Sequence, residues 1–418
     1  MSARAVPIAF ALIALAFIIV TIGFPVSDDS FATSGSCGEE VTYDLTDGVL
    51  TISGTGAMDD FTNPPWYDEK VNVTSIAIGE GITHIGNRAF ALHSNIVSVT
   101  LPSTVRSVGS EVFFNCGSLV SVSLNDGLET IGMSAFARCN SLKTIAIPGS
   151  VTSVGGRMFN TCTNLESVTL SNNIPEIPSM MFQQCHSLKT VQIPASVASI
   201  GPKAFFNCVG LGSVTFNEGL KSIEDDAFRS CEAISGIEFP RTLESIGKGA
   251  FRDCYGLNGI TVPSGVAKIG ESAFDSCSHM ESVVLPDGLE RIEPGTFRHC
   301  GSLSALDMPK GLKIIGANAF AGCRSLTYIH FNTDLEVVDG AAFPDHVFYT
   351  ETGAELEPTA GNLSGYPFVG KDVTRMVRDP TPQGDVDGDD APESLVYLPI
   401  AAIMAVAVSM LLLGARKH

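Results

Sequence analysis

Residues 119–139 have the sequence LVSVSLNDGLETIGMSAFARC, and this arrangement of apolar residues decides the fold because it recurs every 23 residues. Phe takes the same place in each copy, at positions 90, 113, 136, 159, 182, 205, 228, 251, 274, 297, 320 and 343. A Cys follows three residues later in the copies from Cys116 to Cys323, and His93 takes that place in the first copy. A fixed period of this length indicates stacked structural repeats rather than separate globular domains.

Each repeat combines a short strand with a tight turn. The V-x-L part, such as Val122 to Leu124, alternates with period two and predicts a strand with two inward side chains. Pro or Asn follows it and ends the strand. The I-G-x-x-A-F-x-x-C part spaces Ala, Phe and Cys nearly as a helix does, so we expect one helical or 3-10 turn. A single repeat cannot bury enough apolar surface to offset its ordering entropy, and stacked repeats must therefore share one core.

The repeat resembles the leucine-rich repeat of the BspA-like class, which is found on microbial cell surfaces. The resemblance covers about two thirds of the chain, from Ser75 to Phe343. It implies a leucine-rich repeat solenoid over residues 75–343, with a β-strand and a short helical or 3-10 turn in every 23-residue repeat. It also implies that the face formed by the strands is an interaction surface.

The same resemblance implies β caps at both ends of the solenoid. Residues 37–74, which include Gly48 to Met58 and Pro65-Trp66-Tyr67, are similar to the N-terminal β cap of the class. Residues 344–378 are similar to its C-terminal β cap. Such caps cover the end rungs of a solenoid, which would otherwise expose apolar side chains.

Two uncharged runs near the ends of the chain predict membrane segments. The run from Ala5 to Val26 follows Arg4, so residues 1–27 are either a signal peptide or an N-terminal membrane anchor. Residues 395–414 can cross a membrane as a helix, and the basic residues of 415–418 then place the tail in the cytoplasm and the repeats outside the cell. Residues 379–394 hold six acids and three prolines and predict an acidic linker.

The cysteines raise the question of disulfides or zinc. Stacked repeats place the α-carbons of neighbouring Cys residues ~4.8 Å apart, which a disulfide allows, but parallel Cβ atoms stay beyond the ~3.8 Å disulfide mean. We therefore expect buried free thiols, with disulfides as the alternative. The sequence contains neither a C-x-x-C pattern nor a closing His pair, so it does not predict a zinc site. Cys37 lies outside the period, and we interpret it as an exposed or cap thiol because lipidation requires a Cys closer to the hydrophobic run.

Composition and motifs exclude several classes of function. The formal net charge of −20 disfavours nucleic-acid binding because such a chain repels phosphate backbones. The sequence contains no nucleophile elbow, zinc-protease motif or phosphate-binding loop. We therefore expect no enzymatic activity, no cofactor and no metal site.

The outward strand positions identify the candidate binding residues. Early repeats present small hydroxyl-bearing side chains there, whereas late repeats present Glu238, Asp307, Tyr328 and His330. Large aromatic side chains dominate many binding interfaces, so the late end is the better candidate. These residues predict adhesion or recognition of an extracellular protein or glycan by a membrane-anchored protein.

Two further hypotheses concern the surface as a whole. The alternative function is a structural component of the cell envelope that packs laterally and has no specific ligand. Asn72 and Asn362 each begin an N-x-[ST] triplet and are possible N-glycosylation sites.

Overall fold

The structure is a computed structural model that describes residues 33–332, 335–339, 341–343, 345–349, 355–356 and 367–372. These residues belong to one compact unit. The predicted signal or anchor (1–27), acidic linker (379–394), membrane helix (395–414), basic tail (415–418) and Asn362 lie outside the described residues. Within the described ranges, no helix is both long and apolar enough to cross a bilayer.

The repeats form coils that contain two kinds of short parallel strand, whereas the sequence pattern predicts one. We call the first kind face strands. Each three-residue face strand covers the V and x positions of the predicted V-x-L pattern and the residue before them, and the L position lies just after the strand. The face strands are Ser75–Ile78, Ser98–Thr100, Ser121–Ser123, Thr144–Ala146, Ser167–Thr169, Thr190–Gln192, Ser213–Thr215, Gly259–Thr261, Ser282–Val284, Ala305–Asp307 and Tyr328–His330.

The second kind, which we call side strands, follows a few residues later in each coil. The described residues contain thirteen of them: Gly56–Ala57, Ile82–Ile85, Ser107–Val108, Thr130–Ile131, Ser153–Val154, Glu176–Ile177, Ser199–Ile200, Ser222–Ile223, Ser245–Ile246, Lys268–Ile269, Arg291–Ile292, Ile314–Ile315 and Val337–Val338. The fold is therefore a solenoid of about thirteen coils.

The pairing register equals the sequence period. In the face strands Thr144 lies opposite Ser167, and in the side strands Thr130 lies opposite Ser153, both in parallel pairs. Residues 23 positions apart therefore stack directly above one another. Each position of the repeat thus becomes a column of side chains along the solenoid, and the Phe and Cys columns are buried throughout.

The turn that carries Phe and Cys is not helical, so the predicted helical or 3-10 turn is wrong. The residues two before and two after Phe136, Ser134 and Arg138, are left-handed, with φ of 56° and 61°. This alternation directs the N–H groups of Ser134, Phe136 and Arg138 to carbonyl oxygens of the next coil at 2.8–3.0 Å. The intervening Ala137 N–H bonds within the turn, at 3.1 Å. A helix would use all four of these donors inside one coil, whereas this turn uses three of them to join two coils.

A single column of Phe rings forms the centre of the core, as the period predicts. Neighbouring rings from Phe90 to Phe343 stack with centroids 4.9–5.8 Å apart. The rings are fully buried except that of Phe343, which is 7% exposed. Trp66 extends the column at its first end, 6.2 Å from Phe90, and its indole N–H donates to the Ala89 carbonyl oxygen at 2.9 Å.

The Cys column runs beside the Phe column and consists of free, buried thiols, as predicted. Each thiol from Cys116 to Cys323 donates to the carbonyl oxygen of the Phe that lies 26 residues earlier, at 3.0–3.3 Å. Burial raises the pKa of Cys116 and Cys162 to about 12. Cys37 is also free and buried, in the N-terminal sheet region rather than exposed.

Antiparallel strands flank the coils at both ends. Thr33–Ser36, Val41–Thr46 and Val49–Gly54 form a meander whose last strand pairs in parallel with Ser75–Ile78. The 3-10 helix Tyr67–Glu69 lies before the strand Ser75–Ile78 in the sequence and is the only helical element among the described residues.

At the other end, Pro367–Asp372 pairs antiparallel with the face strand Tyr328–His330 and with His346–Tyr349, which also pairs with Glu355–Leu356. The proposed limits of the two caps, 37–74 and 344–378, stay predictions.

Candidate binding face

The structure places the four predicted binding residues on one face, in two groups. Asp307, Tyr328 and His330 lie on adjacent face strands, and the Asp307 carboxylate is 3.5 Å from the His330 ring nitrogen. Glu238 lies three coils away on the same row of positions. The Asp307 side chain is 78% exposed, and Tyr328 is 38% exposed.

The coil that contains Glu238 departs from its neighbours because it has no face strand. The N–H groups of residues 235–239 donate no hydrogen bond within the described part of the chain. Gly236 holds the place that Ser or Thr holds in the six preceding coils, and glycine is a poor strand former. The prediction that Glu238 lies on a strand is therefore wrong, although its side chain is exposed as predicted.

Two shallow depressions open on this part of the face. One has a volume of about 590 Å³ and lies between Glu238, Phe239 and Thr261. The other, of about 330 Å³, lies beside Asp307 and Tyr328. Ser282 and Val284 line both depressions, so the two are adjacent.

Small side chains create this depression, and the sequence analysis did not identify them. In the coils from Ser98 to Ser213, the residue before the central strand residue is Ser or Thr. In the later coils the same position is occupied in turn by Gly236, Gly259, Ser282, Ala305 and Tyr328. The opposite row is Glu238, Thr261, Val284 and Asp307. Val284 is 55% exposed. Comparing the 23-residue columns for side-chain size would have found this change.

Several charges on the solenoid form pairs between adjacent coils. Lys221 pairs with Glu244, Lys248 with Glu271, and Lys313 with Glu290, at 2.8–3.0 Å. At the rim of the depression, a hydrogen bond from the Lys310 ammonium lowers the pKa of Asp287. The Glu238 side chain forms no hydrogen bond or ion pair with any described residue, and the same holds for the side chains of Glu129, Glu176 and Glu281.

A second polar cluster lies in the turns of the late coils. The buried carboxylate of Asp275 accepts hydrogen bonds from Arg298 at 2.6 and 3.2 Å and lies 3.4 Å from Arg252 and from His299. Its charge is thus balanced inside the cluster, which explains how a carboxylate is buried in this fold. Within the described residues, no group of three or more acidic, His or Cys side chains is arranged to hold a metal ion.

Asn72 is exposed and follows the 3-10 helix Tyr67–Glu69. Its side-chain amide donates to the Glu69 carboxylate at 2.6 Å. N-glycosylation at Asn72 stays a prediction.

Comparison with known proteins identifies the repeat. The family described as "BspA type Leucine rich repeat region" matches residues 66–189, 175–300 and 221–349 in six copies. No curated protein matches the chain.

A solved bacterial structure shows the same kind of fold. A leucine-rich repeat protein from Bacteroides ovatus is 24% identical, with a TM-score of 0.59 over 76% of this chain and 90% of its own. A leucine rich cell surface protein from Faecalibacterium prausnitzii is 24% identical, with a TM-score of 0.38 over 73% of this chain and 89% of its own. The first similarity supports the solenoid fold alone. Because the matched ranges span well over half of its length, this chain belongs to the BspA type leucine-rich repeat family.

Proposed function

We propose that this protein is a membrane-anchored cell-surface receptor or adhesin that binds an extracellular protein or glycan on its face strands, without catalysis. The proposed binding residues are those around the depression: Glu238, Asp307, Tyr328 and His330. The β caps close the solenoid at either end, and the predicted C-terminal helix holds it at the membrane.

One observation carries this proposal. The face changes along the solenoid from an even surface of Ser and Thr to a depression with exposed acidic, aromatic and apolar side chains. Ser and Thr are common on any solvated strand, so the early coils need no ligand to explain them. Val284 and Tyr328 line the same depression, and exposed apolar and aromatic groups together are typical of binding surfaces.

The binding test uses the full chain in detergent micelles on arrays of extracellular proteins and glycans. We expect saturable binding to at least one array member, and weaker binding by the double variant Tyr328→Ala, His330→Ala. A matched control, Ser121→Ala with Ser123→Ala, changes the same face in the early coils and should bind normally. Equal binding by both variants would remove the late coils as the site.

The structural alternative gives a different result in the same assay. A lateral envelope component would bind no array member and would self-associate as its concentration rises. Light scattering on the same samples measures that association.

Membrane anchoring has its own test. Deleting residues 395–418 should move the protein from the membrane fraction to the soluble fraction, whereas deleting only residues 415–418 should not. If the chain without residues 395–418 stayed in the membrane fraction, the C-terminal run would not be needed for anchoring, and residues 1–27 would be the remaining candidate anchor.

A further inference from the structure

We propose that the partner, for the binding site described above, is an extended peptide with two basic side chains four residues apart and a small apolar residue between them. This inference rests on the proposed function. It follows from the charges, the spacing and the shape of the row from Glu238 to Asp307.

The charges in this row lack basic partners. Glu238 forms no ion pair or hydrogen bond with a described residue, and Asp307 is near His330 alone, which is charged only when protonated. On the late coils, Glu271 and Glu290 are paired with Lys. Glu232 and Glu281 also form no ion pair with a described residue, but they do not line the depressions, whereas Glu238 and Asp307 do. Two exposed carboxylates without lysine or arginine partners favour a cationic ligand.

The spacing of the two carboxylates matches an extended chain. Glu238 and Asp307 are three coils apart, and parallel strands lie ~4.8 Å from one another, so the carboxylates are separated by about 14 Å. An extended peptide rises ~3.4 Å per residue, and residues i, i+2 and i+4 point to the same side. Basic residues at i and i+4 therefore reach Glu238 and Asp307 together, and residue i+2 lies over Thr261 and Val284.

The floor of the depression suits a peptide backbone. Gly236, Gly259, Ser282 and Ala305 project little or nothing above the surface, so a chain can lie along this row while its side chains reach the neighbouring row. Tyr328 follows this row at its last coil and limits the site there. The hydroxyl groups of a neutral glycan can donate hydrogen bonds to the two carboxylates but carry no positive charge, so charge complementarity favours the basic peptide.

The experiment measures fluorescence anisotropy of labelled peptides with the full chain in detergent micelles. The probe is Ser-Lys-Ser-Val-Ser-Lys-Ser. The comparison peptides replace both Lys by Glu, or move the second Lys one residue closer to the first. We expect saturable binding of the probe that weakens as salt shortens the ~10 Å screening length, and at least ~10-fold weaker binding of both comparison peptides.

The double variant Glu238→Gln, Asp307→Asn should bind the probe ~10-fold more weakly than the unchanged protein. Its matched control, Glu39→Gln with Glu129→Gln, removes the same charge from exposed sites elsewhere and should bind as the unchanged protein does. Equal binding by the two double variants, equal binding of the three peptides, or no binding of the probe would overturn the peptide inference. Array binding that depends on Tyr328 and His330 would still stand in any of those cases, so the two proposals fail separately.

Discussion

At the scale of single residues, the repeat leaves little freedom because every position is stacked on its own copy. Gly132 shows this most directly. A Cβ atom at residue 132 would lie 2.4 Å from the Gly109 carbonyl carbon, below any normal contact distance. The glycine is therefore required by the close approach of two backbones rather than by its flexibility.

We predict that Gly132→Ala lowers the free energy of unfolding by about 1–3 kcal/mol, the usual range for overpacking in a core. Gly149→Ala is the matched control, because a Cβ atom at residue 149 meets nothing within 4 Å. That change should be neutral or stabilise slightly, since alanine restricts the unfolded chain. Urea denaturation of both variants checks the difference, and similar unfolding midpoints would contradict the steric account.

His93 is the exceptional residue in the Cys column. It is fully buried, its Nδ1 atom lies 3.0 Å from the Ala91 carbonyl oxygen, and its Nε2 atom has no hydrogen-bond partner among the described residues. Burial lowers the pKa of His93, and nearby Lys70 lowers it further. The neutral ring is thus the form that fits the fold.

This environment predicts an acid-sensitive contribution to stability. In the unfolded chain the His pKa is ~6.5, so below that pH the unfolded state binds a proton that the folded state refuses. The free energy of unfolding therefore falls as the pH drops below ~6.5, by at most ~1.4 kcal/mol per pH unit from this residue. His93→Cys restores the column residue and should remove that part of the slope. Chemical denaturation at several pH values between 5 and 7.5 measures it, and parallel curves for both proteins would refute the prediction.

At the scale of the coil, the left-handed turn residues explain why coils depend on one another. An L-residue in this conformation costs ~1–2 kcal/mol, and the turn around each Phe from Phe90 to Phe320 holds two such residues or their Gly replacements. The hydrogen bonds that offset this cost run to the next coil. A single coil would still contain the strained left-handed residues but would lack the hydrogen bonds to the next coil, so it would be unstable alone.

The coil of Gly236 is the point where this mutual support is weakest. The Phe239 N–H group has no hydrogen-bond partner in the described chain, whereas its equivalent, the Val262 N–H group, donates to Val284 at 2.9 Å. We predict faster hydrogen exchange at Phe239 than at Val262, because unbonded amides exchange without local opening. Amide exchange measured by NMR or mass spectrometry checks this.

Gly236→Ser provides the matched variant, since a Cβ atom at residue 236 would meet nothing within 4 Å. Serine is the usual residue of this column and should stabilise the protein by about 0.5–1 kcal/mol by reducing backbone entropy in the unfolded chain. Slower exchange at Phe239 in this variant would link the missing strand to the glycine. Unchanged exchange would assign the break to another cause.

The sequence predicts the columns well because Phe136, Cys139 and their copies differ strongly in hydrophobicity from their neighbours. It does not predict the left-handed turn, because Ser134 and Arg138 are ordinary residue types with no preference for that conformation. Only their replacement by Gly249, Gly295 and Gly322 in three coils hints at it, and these glycines have positive φ. The two-residue side strands are too short for alternation to reveal them.

The sequence likewise predicts only part of the candidate site. Glu238, Asp307, Tyr328 and His330 follow from the register of the repeat, since each column is exposed along its whole length. The depression between them does not, because it arises from side chains that are missing at Gly236, Gly259 and Ala305 rather than from any that are present.

At the scale of the whole molecule, the column of buried thiols makes the free energy of unfolding depend on alkaline pH. Burial holds the pKa of Cys162, Cys254 and Cys323 at about 12, whereas an unfolded thiol ionises near ~8.5. Between these values the unfolded chain releases protons that the folded chain keeps. The free energy of unfolding therefore falls as the pH rises above ~8.5, and the many thiols of the column add their effects.

We predict that denaturant midpoints drop steeply between pH 8 and 10, and that the column thiols from Cys116 to Cys323 resist iodoacetamide at pH 8 until denaturant is added. The reason is shared: a buried thiol is neither ionised nor accessible, and the thiolate is the reactive form. Mass spectrometry of native and denatured samples counts the labelled residues.

A variant with Ala in place of Cys162, Cys254 and Cys323 should lose less stability as the pH rises, even though its cavities lower its stability at neutral pH. Rapid native labelling of several column thiols, or equal alkaline slopes in both proteins, would show that the coils open individually and that the stacked core does not protect the column as a unit.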